Sequence, residues 1–129
     1  MLLDEAIWTH LSAVAAITAV IPATNIQWSE AAQETTANRI VYRMISAPPQ
    51  YDSDDEWQRW EVVIIHSNKW TCRQVANLVS DNLHRFKGDN EGQFGGMDID
   101  YIAKISDRDP VLLEDDTYEI IQEYRFIFH

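Results

Sequence analysis

Residues 118–129 read Y-E-I-I-Q-E-Y-R-F-I-F-H, and their alternation decides the class of fold. Tyr118, Ile120, Tyr124, Phe126 and Phe128 share one parity, while Glu119, Glu123, Arg125 and His129 fall mainly on the other. Successive side chains of a strand point to opposite faces, so an apolar residue at every second position marks a half-buried strand. The pattern runs to the last residue with no polar tail after it, and a sheet is the expected framework of the chain.

Working outward from this strand, residues 97–106 alternate in the same way, with Met97, Ile99, Tyr101, Ala103 and Ile105 against Asp98, Asp100, Lys104 and Ser106. Residues 107–116 connect the two, which predicts an antiparallel hairpin with a long loop. Before it lies a glycine-bearing loop over 89–96, and before that a helix over 69–87. Cys72, Val75, Ala76, Val79, Leu83 and Phe86 form the stripe of that helix, and Gly88 offers a C-terminal stop. Residues 57–66 form a long strand with Trp60, Val62, Ile64 and His66 on one face and Arg59, Glu61, Val63 and Ile65 on the other. Residues 39–46 (R-I-V-Y-R-M-I-S) are a strand rich in β-branched and aromatic residues, stopped by Pro48 and Pro49. An alanine-rich helix is expected from Asp4 to Pro22 on the stripe Leu3, Ile7, Leu11, Val14 and Thr18, with Ala15 and Ile17 widening it. A short strand with Ile26 and Trp28 follows, then a polar loop or a brief turn of helix over 30–38. The order α-(β)-β-β-α-β-β predicts an α+β fold, a mostly antiparallel sheet of four to five strands packed with two helices. With 129 residues, the chain 1–129 is expected to be one domain.

The 10 Lys and Arg against 21 Asp and Glu give a net charge of -11. Nonspecific affinity for nucleic acid comes from cations that displace counterions, so this balance argues against DNA or RNA wrapping and is compatible with nucleic acid passing by. Cys72 is the single cysteine and cannot form an intrachain disulfide, which fits a reducing compartment. No run has the length of a membrane span, and the first charges, Asp4 and Glu5, are not those of a secretory signal. A soluble cytoplasmic chain is the expectation.

Several segments resemble the tail-completion, or tail-terminator, family of long-tailed bacteriophages. They are the alanine-rich helix over 3–20, the strand I-V-Y-R-M-I-S over 40–46, the strand and turn W-E-V-V-I-I-H-S-N-K-W over 60–70 running into V-A-N-L-V at 75–79, and the closing strand Y-R-F-I-F at 124–128. The match spans essentially the whole chain. The resemblance implies a small α+β structural subunit, assembled in the host cytoplasm, that forms a ring, usually a hexamer. That ring would sit in the virion at the head-proximal end of the tail, cap the tail tube protein and meet the head-completion or connector protein. DNA would pass through its lumen without specific binding.

No spacing points to catalysis, a cofactor or a metal. Asp52, Asp54, Asp55 and Glu56 lack the turn glycine of a calcium loop, and Trp57 begins a strand at once. Asp107, Asp109, Glu114, Asp115 and Asp116 form a second acidic cluster of the same kind. Both clusters are candidate lumen or ring-face loops, or else solvated surface. His10, His66, His84 and His129 have no zinc-ligand spacing and are read as structural or surface residues. Gly92, Gly95 and Gly96 have no following lysine to make a phosphate loop, and the segment is read as one that orders on a partner. Tryptophan is favoured both in cores and at interface hot spots. Trp57, Trp60, Trp70 and Phe94 are therefore candidate subunit or partner contacts. The alternatives to a ring subunit are a small monomeric acidic adaptor or binding module, and a small enzyme without a recognisable motif.

Overall fold

The two longest strands lie side by side in the middle of the sheet. The computed structural model describes residues 3–28, 38–46 and 56–128. Its elements are helices α1 (Leu3–Ser12) and α2 (Ala15–Thr18), strands β1 (Ile26–Trp28), β2 (Arg39–Ser46) and β3 (Glu56–His66), and helices α3 (Lys69–Leu83) and α4 (Gly88–Glu91). Strands β4 (Tyr101–Asp107), β5 (Val111–Leu112) and β6 (Tyr118–Phe128) complete the order. β3 and β6 pair antiparallel along their whole length, from Glu56 opposite Phe128 to His66 opposite Tyr118. The sheet order is β1-β2-β3-β6-β4. β5 pairs with β6 as well, at Val111 opposite Glu119, so it continues the edge that β4 begins. β1 runs parallel to β2, and the other pairings are antiparallel. The fold is α+β with the element order read from the sequence.

Parity and pairing put one side chain set on one face. Ile40, Tyr42, Trp60, Val62, Ile64, Ile102, Ile120, Tyr124, Phe126 and Phe128 are buried there. α3 covers them with Cys72, Val75, Ala76, Val79 and Leu83, and α1 with Leu3, Ala6, Ile7 and Leu11. One polar pair lies inside: the Gln122 Nε2 donates to the Ala76 carbonyl at 3.0 Å, and the Tyr124 hydroxyl donates to Gln122 Oε1 at 2.7 Å. Each buried polar group needs a partner, and here the partner ties α3 to β6. The opposite face carries cross-strand pairs of charge, Arg43 with Glu61 and Arg59 with Glu123, both at 2.6 Å.

The structure refines the boundaries. The first helix breaks at Val14, which is extended (φ -84, ψ 106), and a new turn starts at Ala15. An unbroken helix would aim Val14 and Thr18 at the core. The break instead buries Ile17, which the sequence puts at the margin of that stripe, and Ile21 completely, and two isoleucines bury more apolar area than a valine and a threonine would. The second helix ends at Leu83, and Gly88 opens a short turn of helix rather than stopping a long one. The intervening residues lie along the outer edge of β4. Arg85 N donates to the Ile102 carbonyl at 2.8 Å, Ile102 N to Phe86 at 3.1 Å, and Gly88 N to Asp100 at 3.1 Å. Lys104 N donates to His84 Nδ1 at 2.9 Å. Regular strand structure begins at Tyr101 rather than Met97, and the 107–116 connection contains β5, bringing the sheet to six strands. β3 and β6 are interior to the sheet, and residues 84–88 bond backbone groups along the outer edge of β4.

Candidate functional site

The loop before β4 folds onto the core. Phe94 N donates to the Met97 carbonyl at 2.8 Å and Met97 N returns the bond at 2.9 Å, closing a two-residue turn on Gly95 (φ 56) and Gly96 (φ 91). Both central residues are left-handed, as a type I′ hairpin turn requires. The turn drives Phe94 inside, stacked on His10 at 4.2 Å between ring centroids and edge-on to Phe86 and Phe126. Phe94 is 0% and Trp60 4% exposed, so neither is offered to a partner as expected; the parity that Trp60 shares with Val62 and Ile64 puts it in the core. Trp57 is half-buried on the open sheet face, with the Arg125 guanidinium 4.8 Å from its ring. Trp70 is the candidate that reaches solvent, at 74% exposure.

The acidic clusters divide. Asp52, Asp54 and Asp55 lie outside the described residues, and Glu56 opens β3. Asp107 accepts from Arg73 at 2.9 Å and from Lys104 at 3.3 Å, so it joins α3 to β4 rather than standing free. Asp115 accepts from Thr117 N at 3.2 Å, and bonds from Thr117 hold its carboxyl below the usual range. Asp109, Glu114 and Asp116 are exposed.

The His10, His66 and Cys72 side chains are bonded to the backbone. The His10 Nε2–H donates to the Asn82 carbonyl at 3.0 Å, and burial pushes its pKa down. His66 Nδ1 accepts from Asn68 N at 2.9 Å beside the start of α3, and burial also lowers its pKa. The Cys72 thiol is buried, and burial pushes its pKa up to about 11, leaving it protonated and unreactive at neutral pH. Among the described residues no three His, Cys, Asp or Glu side chains group to hold a metal ion. No helix of the described residues is long and apolar enough to cross a membrane.

Among the described residues, concave surfaces lie at each side of the sheet. At the β1 edge, the first turn of α1 and strands β1 and β2 enclose a groove of about 640 Å³ lined by Asp4, Glu5, Trp8, Trp28 and Tyr42 among others. The Trp8 indole donates to the Ala23 carbonyl at 3.3 Å, which fixes its ring along the groove. Burial first, and then the charge of Asp4, raise the Tyr42 phenol to about 12, so it stays neutral. Sequence reading missed this groove, because its walls come from three separate segments. At the other side, Lys69, Trp70, Arg73, Asp109 and Pro110 surround a smaller cleft of about 290 Å³. The Lys69 ammonium lies 5.7 Å from the Trp70 ring centroid. α3 starts there because Asn68 caps it, its side chain accepting from Thr71 N at 3.0 Å.

Solved structures share this fold. A chain from the "Virion of native gene transfer agent (GTA) particle" superposes with a TM-score of 0.67 at 15% identity, covering 97% of this chain and 92% of its own. A second solved chain, 16% identical, gives a TM-score of 0.58 over 100% of this chain and 98% of that one. No protein-family model matches the sequence, and no curated protein sequence does.

Proposed function

We propose that the chain is a structural virion protein, a ring-forming tail-terminator or completion subunit that caps a phage tail tube and joins it to the head connector. The observation that carries this reading is the likeness of fold, nearly complete in both chains, to a component of a gene transfer agent virion. The resemblance of the sequence segments to tail-terminator proteins points the same way. The role is structural rather than catalytic, in keeping with histidines tied to backbone groups and a thiol held protonated.

A ring needs two different surfaces on each subunit that meet and close. Native mass spectrometry and negative-stain images, of the free protein and of purified tails, are expected to show a closed oligomer, most simply a hexamer. A monomeric mass at high concentration and no ring on tails would sink the reading and favour the monomeric adaptor.

In this reading the acidic loops border the opening, where carboxylates deny passing DNA the phosphate contacts that would hold it. Replacing Asp52, Asp54 and Asp55 by lysine is expected to leave the melting temperature within about 2 °C, since surface charges rarely govern stability. The variant should acquire salt-sensitive DNA binding and deliver DNA less efficiently. Wild-type delivery by tails that carry it would remove these residues from the lumen.

A further inference from the structure

Resting on the ring reading above, we propose that consecutive subunits join head to tail, with Trp70 and Lys69 of one copy seated in the acidic aromatic groove of the next, formed by Asp4, Glu5, Trp8, Trp28 and Tyr42.

The two surfaces are complementary in shape and charge. Trp70 projects from the first turn of α3 at 74% exposure, well above the other large apolar side chains at the surface. Tryptophan is among the residues most enriched at interface anchors, where a large rigid ring fills a pocket on the partner. Lys69 travels with it, its ammonium 5.7 Å from the ring centroid. The groove offers what this pair needs: aromatic walls for the indole and ammonium, and two carboxylates beside them. Asp4 and Glu5 have no ion-pair partner among the described residues, unlike the carboxylates of the open sheet face. Gln27, which also lines the groove, keeps its Oε1 out of water with no hydrogen-bond donor upon it.

Position favours a second copy over a foreign partner. The groove lies at the β1 edge, and the Trp70 cleft lies beside Pro110, next to β5 on the opposite edge. Four strand spacings separate these edges, roughly 19 Å at the usual interstrand distance. Complementary surfaces on opposite flanks of one chain make a head-to-tail series that closes into a ring when the rotation per subunit allows it. At the β4 edge docking by side chains is favoured, because residues 84–88 already occupy the backbone groups that an added strand would use.

The test is a charge swap read by oligomeric mass against concentration. Trp70→Ala, Lys69→Glu and Glu5→Lys each alter an exposed side chain, and unchanged circular dichroism melts would certify their folds. Each is expected to raise the concentration needed for assembly about thirtyfold, the change expected for loss of one hot-spot residue. An equimolar mixture of Lys69→Glu and Glu5→Lys should reassemble, since each variant's altered surface then meets its complement and each intact surface meets an intact one. Wild-type protein that stays monomeric in solution and on tails would overturn the ring and the docking together. Wild-type rings with variants that assemble equally well would overturn the docking alone and leave the ring standing. Failure of the mixture to reassemble would also refute the pairing. Variants that form rings but no longer attach to tails would reassign Trp70 to a tail protein, against this proposal.

Discussion

Deleting residues 124–129 leaves a chain that does not fold. The deletion removes Tyr124, Phe126 and Phe128 from the core, where they are 0%, 0% and 6% exposed. Burying one large apolar side chain stabilises a domain by about 1.5–3 kcal/mol, and total stability is about 5–15 kcal/mol. Loss of three therefore removes about 4.5–9 kcal/mol, from roughly a third of the margin to all of it, before any hydrogen bond is counted. The ladder suffers too, because β6 is interior. Glu56 to Trp60 lose their partners on one side of it, and Tyr101 to Lys104 on the other. The Gln122 amide, fully buried, keeps its bond to Ala76 but loses the Tyr124 hydroxyl. The expected result is insoluble protein, or soluble protein without a cooperative thermal transition. A soluble truncated chain with an unchanged melting temperature would show that this half of β6 contributes nothing to the core.

Much of this architecture was legible in the residues, for a physical reason. β2, β3, β4 and β6 each have an apolar set of one parity, and a single buried face imposes that pattern along its whole length. What escaped was set by contacts between distant segments. The break at Val14 depends on where Ile17 and Ile21 can reach the sheet, which no local pattern records. β5 is two residues long and exposed on both, too short to carry a period. The capping of β4 by residues 84–88 uses backbone groups, which are the same in every sequence. At the candidate interface, a count of aromatic residues named Trp60 and Trp70 alike. Parity could have separated them, since Trp60 alternates with Val62 and Ile64, whereas Trp70 precedes the apolar stripe that begins at Cys72. The groove was not legible at all, because Glu5, Trp28 and Tyr42 come together only through the parallel pairing of β1 with β2 and the packing of α1 over it.

Phe94 gives the sharpest contrast, and it leads to the second large effect. Glycines around an aromatic residue suggest a loop that waits for a partner, yet the turn at Gly95 and Gly96 presses Phe94 into the core. A Cβ on Gly95 would sit 2.1 Å from the Ala6 carbonyl oxygen and 2.9 Å from the Ala6 Cα. Those are backbone atoms of α1, which is held by the buried Ala6 and Ile7 and cannot swing aside as a long side chain could. Gly95→Ala must therefore lift the turn off the helix and draw Phe94 part of the way out of its contact with His10. The left-handed conformation costs alanine about 1–2 kcal/mol, and partial loss of phenylalanine burial adds up to about 1.5–3 kcal/mol. A total near 3 kcal/mol corresponds to a melting temperature lower by roughly 10 °C in a domain of this size. Gly92→Ala supplies the comparison, since Gly92 also has a positive φ (78, with ψ -144) but has nothing within 4 Å of the added atom. It should lose only the conformational part, about 1–3 kcal/mol for a backbone region that favours glycine. Equal melting temperatures for the two variants would mean that the turn does not rest on α1 and that Phe94 is not held in place by it.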